Sequence, residues 1–408
     1  MTSLSVCIVT SSYPRFEQDG NARFVRSIAE AQAALSHTVH VLAPYAPQVC
    51  AYPSPVQLHW FRYAGLAQSG VMGHAGALEN DRRLKRSAYW LAPLYFVAQS
   101  VALAKIVRRY RIDLIHAHWV VPNGVSAALV SRWTNKPLVV SLHGSDVYLS
   151  MRSAWLGRLA RWVFQRARAV TACSPELAEG AVRVGADRQR IHLVPWGASP
   201  EVFTDRADEG HLRDRLGIPR DAPIVLGLGR LVSKKGFANL IQSAPRVLAK
   251  YPETWFIIVG DGPERERLVS QANRLGVSNR VILPGPVRWN EVPEYLRMSS
   301  MFVVPSVRDV SGNMDGLPTT ALEAMAAGRP VIGTAVGGIP LVVEHDQTGL
   351  IVPEADSEAL TGAIIKLLSS VDERQRMGRA GRERVERYLN WGAVARQFDE
   401  LYNLTLVP

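Results

Sequence analysis

Short apolar runs that stop at turn residues recur along the first half of the chain: Val6–Val9, Val39–Ala43, Leu114–Ala117, Leu138–Leu142, Ala169–Ala172 and Leu193–Val194. Runs of this length, free of charge, read as strands covered on both faces. Between them lie longer stretches whose apolar residues return every three or four positions, such as Phe24–Leu35 and Trp155–Ala167, the period of a helix with one buried side. After Pro195-Trp196-Gly197 the pattern restarts with Ile224–Leu228, Phe256–Val259, Val281–Leu283, Met301–Val304, Val331–Ile332 and Gly349–Val352. Strand–helix alternation of this kind predicts a parallel sheet wound with helices, and two successive arrays predict two doubly wound α/β domains. A cleft is expected between them, with ligands beyond the carboxyl ends of the strands. The expected domains are 1–195 and 196–390, joined near Val194–Pro200. A last helix, about Trp391–Leu404 in the segment 391–408, is expected to cross back onto the first domain.

Length supports the same division, because 408 residues exceed what one ordinary core organises. The opening MTSLSVCIVTSSYP lacks the basic start of a secretory signal, and its apolar run is only strand-length. Cys7, Cys50 and Cys173 are far apart and form no CxxC pair, which fits a reducing compartment and argues against a structural zinc.

Charge changes the picture once it is split. Residues 1–200 hold 22 Lys/Arg against 10 Asp/Glu, and residues 201–408 hold 25 against 26, so the whole formal excess of +11 lies in the first half. Basic residues gather at Arg82, Arg83, Lys85 and Arg86, then at Arg108, Arg109 and Arg111, then from Arg152 to Arg168. Such one-sidedness suits an anionic partner, acidic lipid or nucleic acid, and suits a merely solvated basic surface equally. Directly after the first of these clusters, Ser87–Ala104 carries no charge at all. It approaches the length of a spanning helix but contains Pro93, Gln99 and Ser100, so burial inside an α/β domain is the expectation. Shallow contact with a membrane through Trp90, Tyr95 and Phe96 is the alternative.

The segment richest in chemistry is VVPSVRDVSGNMDGLPTTALEAMAAG, Val303–Gly328. A strand ends at Pro305, a Gly/Asn/Asp loop follows, and Pro318 is expected at the first position of a helix. The free amides of that helix start, around Leu317–Thr320, suit a phosphate. Asp315 and Glu323 flank the helix start and suit hydroxyl groups; a helix-start acid and a solvated Glu would read the same way. GLGRLVSKKG, Gly227–Gly236, follows the first strand of the second domain and carries Arg230 and Lys235 on a glycine-bounded loop. Two cations at a strand's carboxyl end can hold a diphosphate and neutralise its charge as it leaves.

In order along the chain, these segments and five others resemble glycosyltransferase family 4, the retaining group with the GT-B fold of two facing Rossmann-like domains. The others are SSYPRFEQDGNARFVRSIAEAQAAL from Ser11, IHAHWVVPNG from Ile115, SLHGSDV from Ser141, ACSPELAEG with IHLVPWGASPEVF before the linker, and VGDGPERERL from Val259. The resemblance implies an N-terminal acceptor domain and a C-terminal donor domain. It implies that Arg230 and Lys235 bind the donor diphosphate, that Glu323 meets the nucleotide ribose, and that Asp315 meets the transferred sugar. Gly229, Gly316, Leu317, Pro318 and Thr319 would complete the donor site, and Gly20 would let the first loop approach the phosphate. His143 would lie near the reacting carbon, with Asp19, Asn21 and Asp146 on the acceptor side. The family's pair is Glu-x7-Glu; here the first acid is Asp315, a departure that puts the sugar's identity in doubt and reads as tuning to the donor.

The implied activity is retaining transfer of a hexose-type sugar from a UDP- or GDP-sugar to a lipid-linked or polysaccharide acceptor. It would need no metal and no cofactor, the cations doing the work of a metal. The implied place is cytoplasmic and peripheral at the inner face of the cell membrane, with Arg82, Arg83, Lys85 and Arg86 on anionic lipid. His116 and His118 stand two apart at a strand end, but no third ligand follows, so packing is the expectation. An epimerase-type enzyme of the same fold, or a catalytically weak sugar-nucleotide-binding protein, are the alternatives. Specific nucleic-acid binding is not expected, since no recognition helix or zinc knuckle is present.

Overall fold

The computed structural model describes residues 3–65, 71–74, 78–79, 83–203 and 209–406. Two compact units divide the chain, Met1–Pro195 with Trp391–Pro408, and Trp196–Asn390.

The first unit contains, in chain order, β1 (Ser5–Val9), α1 (Arg23–Ala34), β2 (Thr38–Pro44), β3 (Gln57–Phe61), the short strands β4 (Leu78–Glu79) and β5 (Arg83–Leu84), α2 (Arg86–Arg109), β6 (Leu114–His118) and α3 (Asn123–Thr134). It continues through β7 (Leu138–Ser141), α4 (Ser145–Arg152), α5 (Ala154–Arg166), β8 (Ala169–Ala172), α6 (Pro175–Val184) and β9 (Ile191–Leu193). Seven strands form one parallel sheet in the order β3-β2-β1-β6-β7-β8-β9, while β4 and β5 pair antiparallel with each other. Ile8 lies beside Val41 on one side and His116 on the other, so the sheet reverses its winding direction at β1. Its central strands are buried along their length and largely apolar, as in sheets that helices cover on both faces. The helix α6 shows how locally the boundaries are written. Ser174 caps it by accepting from the Leu177 amide, Pro175 takes the first turn where its missing N–H is harmless, and Gly185 ends it at a φ of 115°.

The second unit contains α7 (Glu209–Leu216), β10 (Ile224–Leu228), α8 (Phe237–Lys250), β11 (Trp255–Val259), α9 (Arg265–Arg274), β12 (Val281–Gly285), α10 (Val292–Met298) and β13 (Met301–Val304). Then come α11 (Thr319–Ala326), β14 (Val331–Thr334), α12 (Ile339–Val342), β15 (Gly349–Val352), α13 (Ser357–Ser369) and α14 (Val371–Tyr388). Its parallel sheet has the order β12-β11-β10-β13-β14-β15 and reverses at β10. Phe256, Ile258, Met301 and Ile332 from the strands pack with Leu240, Ile364 and Leu367 from α8 and α13 to form its core.

The last helix, α15 (Trp391–Leu406), belongs to the first unit. Phe398 and Tyr402 are fully buried there. Gln32 donates to the Ala395 carbonyl at 2.9 Å, and His37 Nε2 lies 3.0 Å from Asp399 Oδ1.

The uncharged stretch becomes part of α2, which by length and composition alone from Trp90 onward could cross a bilayer. One side is buried, however: Tyr95, Gln99 and Leu103 are closed from solvent. Gln99 Nε2 and Tyr95 Oη both donate to Asn123 Oδ1 at 2.9 Å, which gives these two donors inside an apolar helix a partner. Of the three aromatic residues named for the alternative of membrane contact, Tyr95 is a core residue, whereas Trp90 is 84% exposed. Leu94, Val97 and Val101 share that outward side, at the spacing of one helical face. Of the basic cluster before α2, Arg82 and the side chains of Arg83 and Arg86 lie outside the described residues; Lys85 is exposed.

Candidate functional site

Both sheets reverse direction at a central strand, and in doubly wound folds ligands bind beyond the carboxyl ends at that point. The expected site residues fall there in each unit.

In the second unit, the loop after β10 carries Arg230, Lys234 and Lys235, and the loop after β13 carries Asp315. Lys235 Nζ lies 2.8 Å from Asp315 Oδ2, Lys234 Nζ lies 3.5 Å from Oδ1, and Ser306 Oγ donates to Oδ2 at 3.2 Å. Burial alone would raise the Asp315 pKa, but Lys235, then Lys234, then more weakly Arg230, hold it at about 2. Lys234 is itself buried. It went unremarked in the sequence, although the adjacent pair in SKKG was the available signal. Three cations thus meet one carboxylate, and the surplus positive charge at a partly buried position suits an anion with at least two charges.

Backbone packing makes that arrangement rigid. Gly236 has a φ of 67°, and a Cβ there would stand 1.8 Å from the Pro305 carbonyl oxygen, so the cation loop and the β13 loop touch backbone to backbone. The Val307 amide donates to the Lys234 carbonyl at 2.8 Å. Behind the cation loop the VGDG turn closes similarly: a Cβ on Gly260, at φ 139°, would meet the Gly229 carbonyl oxygen at 1.9 Å.

Gly316, Leu317 and Pro318 are buried and lead into α11. Pro318 is the residue before the helix, one position earlier than expected, and Thr319 begins it with no side-chain cap. The first amides of α11 are thus left to a ligand or water. Glu323 follows one turn into the helix and is half-buried. Between these parts, Asp309 gathers its own loop, accepting from the Ser311 amide at 2.8 Å and the Asn313 amide at 3.1 Å, with Val310 fully outside.

In the first unit, the loop after β1 contains Asp19, Gly20 and Asn21. Asp19 accepts from the Arg15 amide and guanidinium at 3.0 and 2.6 Å, and from the Asn21 amide and side chain at 3.1 and 2.9 Å. Burial would raise its pKa, yet these donors lower it on balance. Its carboxylate is a loop clamp. Gly20 is exposed, and a Cβ there would meet nothing within 4 Å.

The loops after β6 and β7 carry the histidines. Asp146 is buried and accepts from the amides of Val120 at 2.8 Å, Gly144 at 3.0 Å and His143 at 3.2 Å. It fixes the His143 loop to the Trp119 loop, and burial raises its pKa against the opposing pull of the Val120, His143, Val147 and Asp146 backbone amides. The half-buried His143 imidazole stands 4.1 Å from the Trp119 ring centroid and 5.1 Å from that of Phe24 on α1. Trp119 holds a φ of 67°, a conformation that costs a bulky residue of order 1–3 kcal/mol and gathers at functional sites. His118 Nδ1 lies 3.1 Å from His143 Nε2. His116 has packing partners instead: Tyr402 Oη and Ser141 Oγ, each at 2.7 Å from one ring nitrogen. Burial lowers the pKa of all three rings, that of His116 to about 3, so they are neutral at pH 7. No group of three or more His, Cys, Asp or Glu suited to a metal occurs among the described residues.

Comparison with known proteins identifies the family and the fold. Residues 19–202 match the family described as Glycosyltransferase Family 4, and residues 208–384 match Glycosyl transferases group 1. A GDP-mannose-dependent alpha-(1-6)-phosphatidylinositol monomannoside mannosyltransferase of Mycolicibacterium smegmatis is 30% identical over 75% of this chain and 82% of its own. An N-acetyl-alpha-D-glucosaminyl L-malate synthase of Bacillus anthracis is 26% identical over 76% of this chain and 79% of its own. Among solved structures, Anabaena HepE in complex with UDP aligns with a TM-score of 0.74 over 98% of this chain and 100% of its own, at 19% identity. That likeness fixes the fold.

Proposed function

Because the chain belongs to the family 4 glycosyltransferases of the GT-B fold, we propose that it moves a hexose-type sugar from a UDP- or GDP-sugar, with retention of configuration, to a lipid-linked or polysaccharide acceptor. The observation that carries this reading is the gathering of Arg230, Lys234 and Lys235 around Asp315 beside the open start of α11.

In the reacting complex the donor's diphosphate takes the cations and the first amides of α11. The leaving diphosphate gains negative charge as the glycosidic bond stretches, and these fixed positive groups stabilise it more than they stabilise the intact donor. Glu323 accepts from the ribose hydroxyls and Asp315 from the sugar. The acceptor hydroxyl approaches the face from which the diphosphate departs and passes its proton to a departing phosphate oxygen. The oxocarbenium-like centre is held between the two. The His143 ring supplies a hydrogen bond to a substrate hydroxyl.

The same reading puts the enzyme at the cytoplasmic face of a membrane. Its support is the outward row Trp90, Leu94, Val97 and Val101 on α2, followed on that helix by exposed Lys105 and Arg108, with exposed Lys85 before it.

The test is thermal stabilisation by UDP, GDP, ADP and their common sugar conjugates, without added metal. Selective stabilisation by one nucleoside diphosphate, lost in Lys235→Ala, is the expected result. A melting temperature that none of them moves would remove the donor assignment.

A further inference from the structure

The first unit contains a pair of imidazoles that the sequence motif does not explain. His118 ends β6 and is closed from solvent, and its Nδ1 makes the 3.1 Å contact with His143 Nε2. Its other nitrogen, Nε2, is buried with no hydrogen-bond partner among the described residues. The His118 backbone is fixed as well, its carbonyl accepting from Asn123 Nδ2 at 2.6 Å.

Two neutral rings joined by one hydrogen bond allow two arrangements. If His143 donates from Nε2, His118 must carry its proton on Nε2, as a buried N–H with nothing to bond. If His118 donates from Nδ1, its Nε2 is only a bare lone pair, and His143 Nε2 accepts. A buried orphan N–H is the rarer and costlier outcome. The His116 ring lies 4.5 Å from that of His118, centroid to centroid.

We propose that His118 is a positioning residue that fixes the tautomer of His143. It donates from Nδ1 to His143 Nε2, so that His143 carries its proton on Nδ1 and meets the reacting substrate as a hydrogen-bond donor. The orientation of the ring is settled separately, by Trp119 and Phe24 against its faces and by Asp146 on the backbone amides of His143 and Gly144. The tautomer decides what the ring can recognise. A ring locked as donor at Nδ1 pairs with an oxygen that accepts, such as a sugar hydroxyl oxygen, and rejects one that has only a proton to offer. The substrate part of this inference rests on the glycosyltransferase reading; the tautomer itself does not.

Long-range proton–nitrogen spectra of the full protein with nitrogen-15 histidine, at pH 7, read the tautomer directly. The His143 signals are those absent in His143→Gln. A protonated Nδ1 and a bare Nε2 are expected, and the reverse assignment overturns the proposal whatever the enzyme's activity. The second arm follows release of nucleoside diphosphate from UDP-glucose, UDP-N-acetylglucosamine and GDP-mannose. His118→Leu should lower kcat about tenfold, the worth of one hydrogen bond, with KM for the donor nearly unchanged. His118→Asn, whose side-chain amide can donate from nearly the same place, should recover much of that loss. Equal losses in both variants, or a rise in KM alone, would overturn the role. Release from none of the three donors by the unaltered protein would count against the proposed function and leave the tautomer measured.

Discussion

Lys235 Nζ lies 2.8 Å from Asp315 Oδ2, so the cation proposed for the donor diphosphate is paired with the carboxylate proposed for the sugar. An arriving diphosphate must compete with Asp315 for that cation. Asp315→Asn removes the competitor, and we expect UDP or GDP to bind several-fold more tightly while turnover falls. Lys235→Ala should instead weaken nucleotide binding by about tenfold to a hundredfold, the range for losing one charge-assisted contact. Calorimetric titration of both variants with UDP and GDP checks the opposite signs. Weaker binding in Asp315→Asn would contradict the competition.

The His40 and His59 rings give the fold a pH dependence of definite direction. His40 Nδ1 lies 3.0 Å from His59 Nε2, and burial, then the neighbouring His59, lower the His40 pKa from 6.5 to about 4. Burial, then the Arg109 charge, lower that of His59 too, and Tyr110 packs against both rings. A histidine with a depressed folded pKa leaves the unfolded chain binding more protons. Stability is therefore full above about pH 6.5 and falls as the pH drops towards 4. Urea unfolding at intervals across that range should show the decline, and His40→Gln should flatten it. A slope that His40→Gln leaves intact would assign the loss to other groups.

Tyr402 on the last helix reaches His116 Nδ1 at 2.7 Å inside the first unit. Tyr402→Phe keeps the buried ring but orphans that nitrogen, and should cost about 1–3 kcal/mol. Because His116 also contacts Ser141, and Ser141 contacts Thr171 at 2.6 Å, the loss should be felt across β6, β7 and β8. Hydrogen exchange at those strands in the variant is the measurement. Exchange accelerated only in α15 would show the link to be local.

On α2, Trp90→Ser combined with Val97→Ser should reduce flotation with vesicles containing phosphatidylglycerol by about tenfold or more, given the apolar area involved. Vesicles of phosphatidylcholine alone should bind the unaltered protein less well, because Lys85, Lys105 and Arg108 then lack an anionic surface. Flotation unaffected by the double substitution would place lipid contact elsewhere or nowhere.

The elements most legible from the sequence are those whose local chemistry is self-sufficient. The strands Val6–Val9 and Ile224–Leu228 are charge-free runs, and α6 carries its own Ser cap, Pro start and Gly end. The edge strand β3 escaped because Gln57–Phe61 is half-buried and carries His59 among its apolar residues, so it reads as neither a buried run nor a clean alternation. Arg230, Lys235 and Asp315 could be singled out because a loop after a strand concentrates polar residues at one place in sequence. The roles of Asp19 and Asp146 could not be read, since a carboxylate that clamps a loop and one that faces a ligand have the same neighbours in sequence. Nor could the His118–His143 contact, whose partners are separated by 25 positions and meet only because β6 and β7 are adjacent.

The membership of α15 in the first unit has a temporal meaning. A ribosome delivers residues 196–390 before the segment that His37, Gln32 and His116 are shaped to receive. The second unit has its entire sequence in hand while the first still lacks a helix and keeps an apolar seat uncovered. Chains stalled or truncated near Asn390 should therefore be the aggregation-prone species, because Trp391–Leu406 is the closing stitch of a unit whose strands all precede Pro195.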